Sequence, residues 1–159
     1  MTDMLVRLYD LPPAEPLLQR LAAEGVVCRR PEAYERAAVL AFVRAHFPRW
    51  EDELTVSLSR SPATCYVAAR DGAVLGFACY HATRPNFFGP TGVHEAERGR
   101  GIGTALLLCS LRAMAAEGYA YAVIGSVGPA DFYARAVGAV PIPGSDPGIY
   151  GSRLRPPAS

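Results

Sequence analysis

The chain has 159 residues, half of them hydrophobic, and sixteen Lys+Arg stand against fifteen Asp+Glu for a formal net charge of +1. At this length one domain with a buried core is expected, without help from disulfides or metal. The balance excludes a disordered chain and gives no bulk pull toward nucleic acid or an anionic membrane surface. The N-terminus lacks a basic stretch leading into an apolar one, and the apolar runs break well short of the roughly 20 residues a spanning helix needs. Cys28, Cys65, Cys79 and Cys109 lie far apart, with no C-x-x-C and no His at ligand spacing, so no metal site is expected and the thiols read as small hydrophobes. A reduced, cytoplasmic setting is the simplest account.

Met4 to Leu8 reads as a short strand that Leu11-Pro12-Pro13 ends. Leu17, Leu18 and Leu21 fall at helical spacing across Glu15 to Glu24, and Gly25 stops that helix. Val26 to Arg30 is a second strand. Pro31 suits a first helical turn, after which Tyr34, Ala37, Ala38, Ala41, Phe42 and Ala45 form an apolar stripe closed by Pro48. A short helix from Trp50 to Leu58 starts with Glu51, Asp52 and Glu53, where the helix dipole favours acids.

Two strands follow, Thr64 to Arg70 and Ala73 to His81, joined by Asp71-Gly72 as a tight hairpin. Gly76 inside the second strand predicts a bulge or a close backbone approach. Phe87 to Val93 (F-F-G-P-T-G-V) reads as a glycine-broken strand, and the helix that ends near Glu117 is apolar almost all round, hence buried. Tyr119 to Gly125 is apolar on both faces, as an interior parallel strand would be. Pro129 to Val137 makes a last short helix, and short edge strands are expected at Val140–Ile142 and Ile149–Ser152.

Between the broken strand and the buried helix lies Arg98 to Gly103, R-G-R-G-I-G. A glycine-rich turn opening a helix leaves the first backbone N–H groups unpartnered and adds the positive end of the helix dipole. That combination binds phosphate. The full G-x-x-x-x-G-K-[ST] pattern is absent, and so is a dinucleotide G-x-G-x-x-G with its downstream acid, which argues against a nucleotide site.

Hairpin, broken strand, R-G-R-G-I-G, buried helix, apolar strand and a short helix bearing Phe132-Tyr133 together resemble the GNAT superfamily of acyl-CoA-dependent N-acyltransferases, over roughly Val26 to Ile142. Arg98, Gly101 and Gly103 match the fixed positions of that family's Q/R-x-x-G-x-G/A motif. The resemblance implies an α/β (α+β) fold with a mixed, mostly antiparallel central sheet, a splayed parallel βαβ pair, and helices on both faces. Residues 26–159 would form the N-acetyltransferase domain, with 1–25 an N-terminal strand and helix embellishing it.

It further implies acetyl-CoA as co-substrate, with no metal, and direct attack of an amine on the thioester. The coenzyme would lie against Val93, Arg98, Gly99, Arg100, Gly101, Ile102, Gly103, Thr104 and Ser126, and Tyr133 would protonate the leaving thiolate. The acceptor would be a small-molecule or peptide amine, with no nucleic acid or membrane partner and a homodimer left open. Two positions depart from the pattern. Ser126 stands where the family often has Asn, and four residues rather than three separate Tyr133 from Gly138. A non-catalytic acyl-CoA-binding module of the same fold is the rival reading.

No acid lies in Phe87–Val93 to serve as general base, which leaves His81, His94, Glu51 and Glu53 as candidates. A covalent route through Cys79 or Cys109 lacks a visible activating base. The acceptor pocket is expected from Phe42–Ser59, His81–Pro90 and Pro141–Tyr150, with Trp50, Phe87, Phe88 and Tyr150 as candidate lining.

Overall fold

The computed structural model describes residues 1–158. Seven strands form one sheet: β1 (Met4–Arg7), β2 (Val27–Arg29), β3 (Cys65–Arg70), β4 (Ala73–Tyr80), β5 (Phe87–Val93), β6 (Tyr121–Ile124) and β7 (Val140–Pro141), in the order β2-β3-β4-β5-β6-β1-β7. Every neighbouring pair is antiparallel except β5 with β6. The helices are α1 (Glu15–Ala23), α2 (Arg36–His46), α3 (Glu51–Leu58), α4 (Ile102–Ala116) and α5 (Ala130–Val137). The expected mixed sheet with one parallel pair is therefore the fold of this chain. Among the described residues no helix is long and apolar enough to cross a membrane.

Alternation along β3 and β4 decides which helix covers which face. Ala68, Ala78 and Tyr80 pack with Ile102, Leu106, Leu107 and Leu111 of α4 and with Leu21 of α1. Val67, Phe77, Cys65 and Cys79 point the other way and pack with Val39, Phe42 and Val43 of α2 and Leu54 of α3. Strand β4 is buried on both sides from Leu75 onward, and α4 fills the layer beside it, as its nearly uniform apolarity requires.

The α2 face differs from the predicted stripe. Tyr34 is 85% exposed and Ala37, Ala38, Ala41 and Ala45 face solvent, while Val39, Phe42 and Val43 go inward. Side chains of that size remove more apolar area from water than alanines do, so they set the buried side. The helix also begins later than Pro31, after a one-turn 3-10 segment at Ala33–Glu35 closed by the Glu32–Glu35 capping box. Residues 148–150 form a 3-10 turn rather than the expected edge strand. The β6 strand alternates instead of burying both faces, with Tyr121 45% exposed.

The parallel pair comes apart within two residues. Phe87 pairs with Val123 and Phe88 with Ile124, and no further pair follows. Between Tyr80↔Phe88 and Ala78↔Thr91, β5 carries one residue more than β4. That bulge falls at Gly89-Pro90, and proline has no N–H to give a ladder. Beyond it β5 stays with β4 while β6 stays with β1, and a gap opens between them.

Candidate active site at the splayed strands

A cavity of about 1300 Å³ occupies that gap. Nine of the ten residues anticipated for the site line it: Val93, Arg98, Gly99, Gly101, Ile102, Gly103, Thr104, Ser126 and Tyr133. Arg100 does not, because its guanidinium turns to Glu97 at 3.6 Å and its carbonyl accepts a 2.9 Å bond from Arg20 Nη2 of α1.

The loop geometry follows from its glycines. Gly99 (φ 81°) and Gly101 (φ 90°) take left-handed conformations that only glycine adopts cheaply, and Gly101 is the N-cap of α4. The first α-helical bond runs from Ala105 N–H to Gly101 O at 3.0 Å. The amides of Ile102, Gly103 and Thr104 are thus the orphan donors of the first turn, at the positive end of a 15-residue helix. Gly103 sits inside that turn with helical geometry, and a Cβ there would meet only Val93 Cγ2 at 3.7 Å. The fold would accept alanine; glycine keeps the cavity wall bare.

Contacts remote in sequence hold the loop in place. Leu17 and Arg20 of α1 close over Gly101, where a Cβ would lie 2.9 and 2.8 Å from them. Glu97 bonds both terminal nitrogens of Arg70 at the end of β3, which holds its carboxyl below the usual carboxylate range and raises the Arg70 guanidinium in turn. Arg98 Nε donates to Val93 O at 3.2 Å, leaving its terminal nitrogens to the cavity edge.

Strand register aims a donor into the gap. His94 N–H donates to Leu75 O at 2.8 Å, so that pair is hydrogen-bonded and the next, Gly76↔Val93, is not. Val93 N–H therefore points away from β4, toward the space that β6 has vacated. The β3–β4 bulge that leaves Leu75 unmatched sits beside Gly76, whose missing Cβ would stand 3.0 Å from Gly92 O and 3.2 Å from Leu106 Cδ1. The predicted close approach is present at that position.

Tyr133 reaches the cavity from α5. It is 6% exposed, packs edge-on against Phe88 (6.3 Å) and Phe132 (5.0 Å), and burial pushes its phenol up to about 12. The phenol therefore stays protonated through neutral pH. The longer exit from α5 is accommodated by Gly138 in a left-handed cap (φ 67°), with Ala139 N–H returning to Tyr133 O. Ser126 adopts φ 49°, and its backbone N–H is taken by Asp3 Oδ1 at 2.8 Å. Asp3, 6% exposed, also receives Ile142 N–H on its carbonyl and donates its own N–H to Ser145 Oγ. It thus ties β1, the turn after β6 and the C-terminal segment together. No sequence signal pointed to Asp3, Arg20 or Leu17.

The opposite wall comes from the α2–α3 corner and the C-terminal segment. Phe47, Arg49, Trp50, Asp52, Glu53, Thr83 and Tyr150 line it with Phe88, whereas Phe87 packs against Gly125. Of the four base candidates only Glu53 reaches the cavity. His81 is buried between Glu117 (2.6 Å) and the Asn86 amide (2.9 Å), His94 caps the turn at Glu95–Glu97 through its Nδ1, and Glu51 pairs with Arg44 at 2.6 Å. None of the four cysteines lines the cavity, and burial raises the Cys28 thiol to about 12 and pushes Cys109 up as well. Among the described residues no group of His, Cys, Asp and Glu could hold a metal ion.

The acetyltransferase (GNAT) family model matches residues 29–138. The glucosamine N-acetyltransferase region of a fungal multi-domain GH3 beta-N-acetylglucosaminidase superposes with a TM-score of 0.75 at 19% identity, over 89% of this chain and 19% of that one. A GCN5-related N-acetyltransferase from Sphaerobacter thermophilus gives 0.68 at 22%, over 89% and 48%. These two bear on the fold alone. A GNAT family acetyltransferase from Brucella melitensis in complex with acetyl-CoA gives 0.53 at 25%, over 69% of this chain and 80% of that one. The chain spans between 19% and 48% of the length of the first solved structures it matches, and no curated protein matches it. With the family match running over residues 29–138, from the end of β2 through α5, this chain belongs to the GNAT acetyltransferase family.

Proposed function

We propose that this protein transfers an acetyl group from acetyl-CoA to an amine. The observation that carries the reading is the meeting, in one cavity, of an anion-binding helix start, a free backbone donor at Val93 and the buried phenol of Tyr133. The bare wall at Gly99 and Gly103 fits a pyrophosphate approaching the amides of residues 99–104, with Arg98 adding a charge-assisted contact. Ser126 would meet the coenzyme through its side chain, since Asp3 occupies its backbone N–H. The complex of the Brucella melitensis relative supports acetyl-CoA as the donor.

Acetyl-CoA supplies an acyl group activated as a thioester. Val93 N–H, aimed into the gap, would stabilise charge developing on the thioester oxygen, as oxyanion donors do. Glu53 would take the proton an ammonium must lose. The neutral amine then attacks the carbonyl carbon: the C–N bond forms, the C–S bond breaks with its electron pair going to sulfur, and Tyr133 gives sulfur a proton while regaining one from the nitrogen. A phenol near 12 is a weak donor toward a thiolate, whose thiol has a pKa of about 8.5, so its contribution is set at the low end of general-acid effects, about 10²-fold. Residues 1–25 act within the same unit, since α1 clamps the glycine loop and Asp3 the β6 turn.

Thiol release from acetyl-CoA with a panel of amines tests this. Amine-dependent release with stoichiometric amide formation is expected. Tight coenzyme binding by calorimetry with no release for any amine would overturn it and favour a binding module.

A further inference from the structure

The acyl-transfer reading leaves the acceptor unnamed, and the inference here rests on that reading. The cavity's second half has a definite chemistry. Phe47 lies with its ring against the bare backbone of Gly92, where a Cβ would stand 2.6–2.8 Å from ring atoms. Trp50 stacks on Phe47 with ring centroids 5.4 Å apart and planes at 15°, and both also pack on Phe77. The result is a flat aromatic wall locked from behind. Arg49 lies over the Trp50 ring at 5.6 Å, so its charge is already committed to that ring.

One turn of helix beyond Trp50 comes Glu53, on the same side of α3. Its neighbours among the acids are engaged, Glu51 by Arg44 and Glu97 by Arg70. Among the described residues Glu53 has no ion-pair partner, and Asp52 stands beside it at the solvent rim. Across the mouth Tyr150 hangs over Gly125, where a Cβ would collide with its hydroxyl, and burial first, then the Asp3 and Glu53 carboxylates, hold its phenol above the usual value. A polycation entering here would also meet Arg153. An amino sugar would set hydroxyls against the apolar ring faces of Phe47 and Trp50.

We infer that the acceptor is a primary amine carried on a flat apolar body, an arylalkylamine, whose ring packs against the Phe47–Trp50 pair and whose ammonium meets Glu53. Offset stacking gives the ring a preferred seat and the carboxylate sets the amine's direction.

The chain's one tryptophan is Trp50, so its emission reports this wall directly. The experiment compares phenethylamine, spermidine and glucosamine on the full-length protein, by kcat/KM from thiol release and by Trp50 emission. Phenethylamine should quench Trp50 saturably, spermidine should not, and kcat/KM should favour phenethylamine by about 2- to 10-fold, the scale of one aromatic contact. Trp50→Ala should erase that preference while leaving coenzyme affinity by calorimetry unchanged. Should Trp50→Ala fail to fold, Trp50→Leu keeps the apolar packing and carries the same comparison. Thiol release with spermidine or glucosamine at equal or higher kcat/KM would overturn the arylalkylamine assignment while upholding acyl transfer. An equal loss for all three amines in the Trp50 variants would overturn it too. Saturable quenching by phenethylamine with no thiol release for any amine would uphold the pocket and overturn acyl transfer.

Discussion

Replacing Gly103 with alanine should move stability and coenzyme affinity in opposite directions. The residue lies in the first turn of α4 with helical backbone, and the nearest atom to an added Cβ is Val93 Cγ2 at an ordinary 3.7 Å. Nothing in the fold pays for the substitution, and the helix gains about 0.5–1 kcal/mol from the smaller entropy loss of alanine. The same methyl would stand on the wall where the proposed pyrophosphate would approach the first-turn amides. Loss or lengthening of one charge-assisted hydrogen bond there costs about 1.5–3 kcal/mol, or roughly 10- to 100-fold in affinity. Urea unfolding of the ligand-free protein and calorimetric titration with coenzyme A measure the two effects separately. A destabilised variant would mean that Gly103 serves the fold, and a stabilised variant with unchanged affinity would mean that coenzyme A does not approach this helix start.

Three other perturbations probe different links. Gly101→Ala should destabilise the ligand-free protein, because φ 90° strains an alanine by about 1–2 kcal/mol and the methyl would displace Arg20 from Arg100 O, a further loss of about 1 kcal/mol; urea midpoints check the sum. Tyr133→Phe should lower turnover about 10²-fold with coenzyme affinity unchanged, and unaltered turnover in the thiol-release assay would remove the acid role. On the alkaline side, the folded Tyr133 phenol, raised to about 12, binds its proton more tightly than the unfolded chain does at about 10. Stability complete below pH ~10 is therefore lost as pH rises toward ~12, by about 2–3 kcal/mol for this group. Urea midpoints at neutral and high pH should fall less for Tyr133→Phe than for the wild type; equal falls would show that the phenol is not the cause.

The glycine loop and the order of elements were readable because their causes are local. Positive φ at Gly99 and Gly101, the Asp71-Gly72 turn with both residues at positive φ, and the uniform apolarity of Ile102–Ala116 each follow from a few adjacent residues. The Tyr133 helix was legible on the same terms. Where the reading slipped, at the α2 stripe, it counted alanines at helical spacing as a face. Burial is decided by the partner surface, and β4 offered Phe77 and Cys79 to Val39, Phe42 and Val43.

What the site is made of was a different matter. Arg98 and Arg100 are equivalent in the motif, and only docking separates them: Arg98 bonds back to Val93 O, while Arg100 is drawn outward by Glu97 and Arg20. The bonds that hold the site join residues 80 positions apart, Arg20 to Arg100, and 123 apart, Asp3 to Ser126. Among His81, His94, Glu51 and Glu53, sequence offered four equal candidates, and the fold buried His81, set His94 to capping a turn and paired Glu51. The sequence by itself thus determined that this chain would build a glycine-lined helix start beside a broken strand, because turn chemistry and periodicity act over a few residues. Only the tertiary structure decided which side chains face the gap, because the gap exists only where β6 leaves β5, at the point where Pro90 offers no hydrogen bond and the two strands follow different neighbours.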